Sequence, residues 1–285
     1  MRALIVGSKG QLGRSLQACA PPAAEIVAHD YDTLDITDRA SVKAMVDAVR
    51  PEIIINAAAY TAVDKAETDA GAAHAINAMA VGLLADAASA VGARLVHVST
   101  DYVFDGTSGI PYAPDVKPNP LSVYGLTKFE GERLVGNAAL IVRTAWVYAP
   151  NGGNFVRTML RLMAERPEVC VVADQISTPT YAPGLAAALW ALVGQGVVGL
   201  RHYTDAGVAS WYDFAVAIQE EAMVAGLLGH AVPVIPIATA DSPTPAKRPS
   251  FSVLDKSSTF EALGGPAPHW RVNLRTMLNE IKTNG

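Results

Sequence analysis

Short apolar runs alternate with helix-like segments from the first residue to about residue 145, and this rhythm limits the possible folds most strongly. The predicted strands are Ala3–Val6, Glu25–Ala28, Ile53–Asn56, Arg94–Ser99 and Leu140–Arg143. The helices predicted between them are Gln11–Cys19, Arg39–Val49, Ala72–Val91 and Ser122–Val135. Repeated β-α-β units form a parallel, doubly wound sheet that helices cover on both faces. The sequence therefore predicts an α/β, Rossmann-like fold.

The second half of the chain loses this rhythm and becomes rich in proline. We predict a Rossmann-like domain at residues 1–150 and a smaller mixed α/β lobe at residues 151–285, with some of its elements returning to the core. Ala238–Pro249 is predicted to be a long loop. The smaller lobe is expected to be mainly a substrate-binding lobe.

Composition excludes several classes of protein. The 285 residues carry a formal net charge of −5 and no Lys/Arg run, so we expect no binding to nucleic acid or to an anionic membrane surface. The two cysteines, Cys19 and Cys170, have no C-x-x-C spacing, and the six histidines do not cluster, so we expect neither a disulfide nor a metal. The uncharged stretch Ala182–Leu200 is expected to be a buried helix that turns into a strand. No leader sequence is recognisable, and we expect a cytoplasmic location.

Three glycines follow the first predicted strand, at Gly7, Gly10 and Gly13. Gly7 and Gly10 would let the chain turn tightly and approach a pyrophosphate, and Gly13 would let the next helix pack close to the sheet. The start of that helix would stabilise the negative charge. Because a strand precedes the glycines and a helix follows, we predict a dinucleotide site that includes Gln11 and Leu12.

Residues after the second and third strands extend this site. Asp30 lies where an acid usually hydrogen-bonds the adenosine ribose. An acid there favours NAD, because it would repel the 2′-phosphate of NADP, whereas the positive charge of Lys9 or Arg14 could offset this repulsion. The preference between the two cofactors therefore stays open at this point. Further contacts are predicted from the loop residues Asp35, Ile36, Ala57, Ala58 and Ala59. For Asp35, a solvated loop acid is an equal alternative.

The catalytic prediction depends on Tyr124 and Lys128, a Y-x-x-x-K pair at the start of a predicted helix. Residues four apart share one helix face, so the ammonium of Lys128 is expected to lower the pKa of the Tyr124 phenol and make it a general acid. Both residues are also predicted to contact the cofactor. Upstream, the Thr100 hydroxyl follows the fourth strand and is predicted to hydrogen-bond the carbonyl that is reduced.

Several segments together resemble the dTDP-4-dehydrorhamnose reductase family of short-chain dehydrogenases. They are Asn56–Glu67, Ser99–Gly106, Tyr124–Lys128, Arg143–Tyr148, Asp174–Thr180 and Lys247–Pro249. The resemblance implies reduction of the C4 ketone of dTDP-4-dehydro-L-rhamnose, with NADPH as cofactor and NADH possible. It implies that Tyr124 protonates the oxygen, that Lys128 holds the nicotinamide ribose and that Thr100 polarises the carbonyl.

The same resemblance assigns two residues to the sugar. It implies that Asp101 helps to orient the substrate, and Trp146 is in a position to stack on the sugar, with core packing as the alternative. Magnesium-bridged dimers occur in the family, but a position matching one of their glutamates is Ser15 here, so we expect no metal and a monomer or weak homodimer.

Two other functions share this fold. Related dehydratases carry an acid pair after the threonine, whereas this chain has Asp101-Tyr102, so simple reduction fits better. A non-catalytic regulatory subunit that binds a dinucleotide, or a reductase of another nucleotide-linked keto-sugar, remains the alternative that turnover would decide.

Overall fold

The computed structural model describes residues 1–136 and 138–284. A six-stranded sheet forms its centre, and every neighbouring pair of strands is parallel. The strands are β1 (Arg2–Val6), β2 (Glu25–His29), β3 (Ile53–Asn56), β4 (Arg94–Thr100), β5 (Leu140–Thr144) and β10 (Gly199–His202). Their order is β10-β5-β4-β3-β1-β2, which confirms the doubly wound prediction. The chain order reverses beside β1, where such sheets bind ligands.

Helices cover both faces of this sheet. In the first half of the chain they are α1 (Gln11–Ala18), α2 (Arg39–Val49), α3 (Val63–Ala66), α4 (Ala70–His74), α5 (Ala80–Val91) and α6 (Val123–Leu134). A π-helical turn at Ala75–Met79 joins α4 to α5, and a 3₁₀ turn at Asp101–Val103 follows β4. One apolar cluster is formed between the sheet, α1 and α8 (Ala182–Gly194), and another between the sheet, α2 and α5.

The smaller lobe contains three two-stranded sheets and further helices. Its strands are β6 (Val147–Tyr148), β7 (Val169–Val172), β8 (Ile176–Ser177), β9 (Thr180–Tyr181), β11 (Ala209–Ser210) and β12 (Val234–Ile237). Its helices are α7 (Phe155–Glu165), α9 (Trp211–Ala225), α10 (Ser257–Ala262) and α11 (Trp270–Asn284). The pairs are β6–β9, β7–β12 and β8–β11, and only the last is antiparallel. The domain boundary at residue 150 stays a prediction, since β10 and α8 belong to the main sheet and its cover.

Local capping explains where the helices that carry the site begin. Asp38 accepts the N–H groups of Ala40 and Ser41 at the start of α2, as its position before the helical pattern indicates. At the start of α6, Ser122 accepts the N–H of Gly125 at 3.2 Å. This cap fixes the first turn of α6, on which the predicted tyrosine lies.

The two apolar stretches that approach membrane-spanning length have different structures. Ala182–Gly194 is a largely buried helix, and the chain then turns into β10, as predicted. The continuous helical stretch Ala70–Val91 is long and apolar enough to cross a membrane, and 33% of its most apolar 18-residue segment is buried in the protein. It packs beside α2 and α6 against β3 and β4, which is the position of a covering helix.

Candidate active site

A cleft of about 900 Å³ opens at the carboxyl ends of the central strands. Its volume lies within the range of cofactor and ligand sites. The predicted cofactor residues that line it are Gly7, Gly10, Gln11, Leu12, Asp30, Asp35, Ile36, Ala57, Ala58, Ala59, Tyr124 and Lys128. Sequence reasoning missed other lining residues because they come from separate loops, the π-helical turn and the end of β5, none of which carries a motif; they include Thr37, Ile76, Thr144, Gly152 and Gly153.

Two glycines of the first loop are required by close approach. A side chain at Gly7, whose φ is +79°, would place its Cβ 2.5 Å from the backbone nitrogen of Ala58. A Cβ at Gly13 would lie 2.1 Å from the carbonyl oxygen of Gly7. Gly13 therefore seats α1 against the loop, beneath the cleft, and the start of α1 faces the space where a pyrophosphate fits.

The end of the cleft beside β2 carries charges of both signs. The Asp30 carboxylate accepts the backbone N–H of Lys9 at 2.7 Å and that of Tyr31 at 2.9 Å. The Lys9 ammonium pairs with Asp32 and lies 5.9 Å from the centre of the Tyr31 ring. Arg14 donates to the Lys9 carbonyl at 2.9 Å. Backbone N–H groups thus hold the Asp30 carboxylate, and its charge contributes to raising the pKa of Lys9.

Tyr124 and Lys128 both face the cleft from α6. Lys128 is 2% exposed, and its Nζ donates to the Val98 carbonyl at 2.6 Å. Burial lowers the pKa of Lys128 to about 8, and the Glu132 carboxylate opposes this change. The ammonium has three N–H donors, and this contact uses one, which leaves two for a ligand.

Burial raises the pKa of Tyr124 to about 12, while a hydrogen bond with the Thr100 hydroxyl acts in the opposite direction. The pKa of Tyr124 is therefore raised overall, and not lowered as its spacing to Lys128 led us to expect. Desolvation of the phenolate outweighs the other effects, because burial disfavours the charged form, and the Lys128 ammonium bonds to a backbone carbonyl. The phenol consequently stays protonated at neutral pH.

Thr100 and Asp101 lie at the end of β4 and are both buried. The Thr100 hydroxyl accepts the N–H of Tyr102 at 3.2 Å and donates to Asp101 at 3.1 Å. The Asp101 carboxylate also accepts from Ser252 at 2.5 Å and from Ser177 at 3.4 Å. Burial raises the pKa of Asp101 to about 6. Asp101 thus ties the catalytic strand to the second half of the chain, and its contact with the sugar stays a prediction.

Trp146 has a backbone conformation that is unusual for a bulky residue, with φ at +46°. Its indole stacks on Trp211 with ring centres 3.5 Å apart and planes 12° from parallel. Phe155 lies 4.5 Å from Trp211 and extends the cluster. One face of Trp146 therefore packs within the lobe, which agrees with core packing, the alternative given for this residue from the sequence. Stacking of Trp146 on a sugar stays a prediction.

Asn77, which sequence reasoning missed, lies in the π-helical turn and is 1% exposed. Its amide nitrogen donates to the Tyr60 carbonyl at 3.1 Å and to the Thr127 hydroxyl at 3.2 Å, and its oxygen accepts the Tyr60 N–H at 2.8 Å. π-turns inside helices occur often at functional sites. Asn77 thus connects the loop after β3 to Thr127, the residue next to Lys128. In the sequence, its only signal is an amide side chain among mostly apolar residues of the predicted helix.

The comparisons with known proteins agree with this geometry. A family model described as the RmlD substrate binding domain matches residues 1–283. A dTDP-4-dehydrorhamnose reductase from Aggregatibacter actinomycetemcomitans is 42% identical, over 97% of this chain and 98% of the relative. The chain belongs to the dTDP-4-dehydrorhamnose reductase family.

Two solved structures of this reductase family are closely similar. One, from Clostridium acetobutylicum, has a TM-score of 0.94 and 39% identity and covers 99% of this chain and 100% of its own. The other, from Bacillus anthracis in complex with NADP, has a TM-score of 0.93 and 38% identity and covers 98% of this chain and 99% of its own. The Rossmann-like fold predicted from the sequence is thereby confirmed.

Two positions named through the resemblance to this reductase family have clear contacts. Arg248, from the Lys247–Pro249 segment, pairs with Asp64 at 2.7 Å. The ring of Tyr102 packs edge-on against Tyr124. Ser15 is buried in α1, where its hydroxyl donates to the Gln11 carbonyl at 2.9 Å. In residues 1–136 and 138–284, no cluster of three potential metal ligands occurs. Both the metal and the oligomeric state stay predictions.

Proposed function

We propose that this protein reduces the C4 ketone of dTDP-4-dehydro-L-rhamnose to dTDP-L-rhamnose with NADPH, the last step of dTDP-rhamnose synthesis. The observation that carries the proposal is the meeting of Thr100, Tyr124 and Lys128 beside a cleft that a glycine loop closes at its other end. Membership of the reductase family and the NADP complex of the Bacillus anthracis relative support the reaction and the cofactor.

The residues that line the cleft fit a dinucleotide. The backbone of the Gly7–Gly13 loop would hold the pyrophosphate, and Lys9 would face a 2′-phosphate on the adenosine ribose. Lys128 would donate to the nicotinamide ribose with the two N–H groups that its contact with Val98 leaves free. NADPH, when bound, supplies the hydride that adds to the ketone carbon.

Tyr124 supplies the proton that completes the reduction. As the ketone carbon gains a hydride, its oxygen becomes an alkoxide, which is a much stronger base than a phenolate. A phenol whose pKa is raised to about 12 is fully protonated at neutral pH and still donates readily to an alkoxide. For reduction the raised pKa thus keeps the acid in its active form.

Thr100 would help to place the ketone for this transfer, because its hydroxyl lies close enough to the Tyr124 phenol to influence its pKa. We infer that Asp101 orients the sugar through Thr100, since its carboxylate accepts from the Thr100 hydroxyl and lies among buried groups. Trp146 would offer the free part of its indole to the sugar. The lobe formed mainly by residues 151–285 would hold the nucleotide carrier.

Two further properties belong to this proposal. We also propose a cytoplasmic location and a monomer or weak homodimer. Neither nucleic acid nor a membrane is expected as a partner, since the formal net charge is −5.

The test follows NADPH absorbance at 340 nm with dTDP-4-dehydro-L-rhamnose, and compares Tyr124→Phe with wild type. Loss of the acid is expected to slow turnover about 100- to 10,000-fold. Tyr203→Phe is the matched control, because it removes the hydroxyl of a buried tyrosine that packs near Phe260 outside the cleft. It should leave turnover unchanged.

The same assay separates the alternatives. If the wild-type protein binds NADPH but does not oxidise it in the presence of any keto-sugar nucleotide, the protein is a regulatory subunit. Turnover with another keto-sugar nucleotide, and not with the rhamnose precursor, would replace the substrate and keep the chemistry. A Tyr124→Phe protein as active as wild type would refute the role of the phenol.

A further inference from the structure

A buried ion pair lies directly below the catalytic residues. The Glu132 carboxylate accepts from Arg143 at 2.7 and 2.9 Å, and the two side chains are 6% and 2% exposed. The Ser99 hydroxyl donates to the same carboxylate at 2.5 Å. Arg143 also lies 5.1 Å from the ring centre of Phe104. Because desolvation offsets most of the attraction in a buried ion pair, stability alone is a weak reason for its presence.

The position of Glu132 connects three elements of the site. It lies one helical turn after Lys128 and two turns after Tyr124 on α6. Ser99 on β4 lines the cleft and precedes Thr100, and Arg143 is its partner in the β4–β5 register. One carboxylate therefore holds α6 to both strands at the level of the reacting groups.

The same carboxylate acts on the charge of Lys128. The described contacts of the Lys128 ammonium include one hydrogen bond, to a neutral carbonyl, and no ion pair. Burial lowers its pKa to about 8, and Glu132 raises it. Without this contribution, a residue that must donate to a ligand would lose its proton close to neutral pH.

Other titratable groups on α6 and on the elements packed against it are engaged elsewhere. Four ion pairs account for part of them: His74 with Glu130, Asp64 with Arg248, Lys65 with Asp69, and Asp86 with Arg39. Hydrogen bonds to neutral groups account for three more: Arg94 with the Val193 carbonyl, Glu67 with the Val123 N–H, and Asp101 with the Ser177 and Ser252 hydroxyls. Burial keeps His97 and Tyr102 neutral, holding the pKa of His97 well below and that of Tyr102 well above its usual value. Arg133 is exposed.

We propose that Glu132, held by Ser99 and Arg143, is a positioning residue that keeps Lys128 protonated and seats the catalytic helix against β4. This inference rests on the proposed function, in which Lys128 must carry a proton to hold the nicotinamide ribose. It assigns to the buried pair a role in the charge state of the site in addition to its role in packing.

The experiment measures the pH dependence of NADPH affinity, by fluorescence, and of kcat/KM for the keto-sugar nucleotide. In wild type both should fall as pH rises through the pKa of Lys128. In Glu132→Gln, which keeps an oxygen for Arg143 and Ser99, the alkaline fall should begin about one to two pH units lower, since a charge one turn away is lost. Glu130→Gln removes the same charge from the surface of α6 and should leave the profile unchanged.

A second variant, Glu132→Gln with Arg143→Gln, removes both charges and leaves no buried charge unpaired. It keeps the test open if the single variant fails to fold. If Glu132 has a purely structural role, the variant should be less stable to heat than wild type, but its NADPH affinity and kcat/KM should fall at the same alkaline pH as in wild type. That result would overturn the inference. So would an NADPH affinity that is constant from pH 7 to 10 in wild type. If wild type lacks turnover, the proposed function fails, but the NADPH titration still decides the role of Glu132.

Discussion

Replacing the buried carboxyl of Asp205 by an amide should stabilise the protein, and should do so more strongly as the pH rises. Asp205 is fully buried where the chain leaves β10, near α11. One of its oxygens accepts the Tyr181 N–H at 3.2 Å, and within the described residues the other has no hydrogen-bond partner. Burial raises its pKa to about 7, against the opposing effects of Asn273, Tyr181 and Lys256.

The sign follows from proton linkage. Between pH 4 and pH 7 the folded protein holds a proton on Asp205 that the unfolded chain releases, so stability falls as the pH rises through this window. With a pKa of about 7 in the folded protein and an ordinary pKa of 3.8 in the unfolded chain, the carboxylate destabilises the folded state by about 2 kcal/mol at pH 5 and about 4 kcal/mol at pH 8. Asp205→Asn cannot ionise, and its gain over wild type should grow by about 2 to 3 kcal/mol between these pH values.

Urea unfolding of both proteins at pH 5 and pH 8 measures this difference. Asp105→Asn is the control of opposite sign, because hydrogen bonds from Asn119, Thr107 and Tyr112 hold the pKa of Asp105 well below its usual value. Its carboxylate contributes stability that is lost only as the pH falls, so this variant should be less stable than wild type at both pH values. If Asp205→Asn gains nothing between pH 5 and pH 8, the assignment of a neutral buried carboxyl is refuted.

Two further predictions concern the cofactor end of the cleft. Asp32→Asn frees the Lys9 ammonium for a 2′-phosphate and should improve kcat/KM for NADPH about two- to fivefold, as expected for an exposed pair, without changing that for NADH; an equal change for both cofactors would contradict this. Gly13→Ala forces a Cβ against the carbonyl oxygen of Gly7, and overpacking of this kind should weaken NADPH binding about 10- to 100-fold in a fluorescence titration. Gly71→Ala, where the added Cβ meets nothing within 4 Å, is the control and should bind like wild type.

Local patterns were sufficient for the main sheet and for the cofactor loop. The five strands predicted before residue 145 differ from the observed ones by at most one residue at either end, because each is a short apolar run bounded by turn residues. The close backbone packing at Gly7 and Gly13 could be predicted because a strand precedes them and a helix follows, whereas their contact with a cofactor stays a prediction. A parallel sheet then brings the ends of β1, β3 and β4 to one edge without further information.

Features that depend on burial could not be read from spacing. The four-residue spacing of Tyr124 and Lys128 placed both on one face of α6, but the direction of the tyrosine pKa depended on desolvation, which overrode the predicted effect of the ammonium. His97 is buried in β4, and the Asn56 side-chain amide lies 3.2 Å from its Nδ1, but its Nε2 has no hydrogen-bond partner among the described residues, which no spacing in the sequence indicates. The π-turn around Asn77 left no periodic trace in a helix predicted to be regular.

The contrast between the two halves of the site has a physical reason. Most of the predicted cofactor contacts come from one local unit, the first β-α-β segment and the ends of adjacent strands, so a short motif was enough to predict them. The reacting end is instead held by distant segments, since the hydroxyls that cage Asp101 belong to Ser177 and Ser252, 76 and 151 residues further along the chain. The smaller lobe therefore takes part in holding Asp101, and through it Thr100, in place, in addition to its proposed role in binding the substrate. A change in that lobe should act on catalysis through the Asp101 cage even where it never touches the sugar.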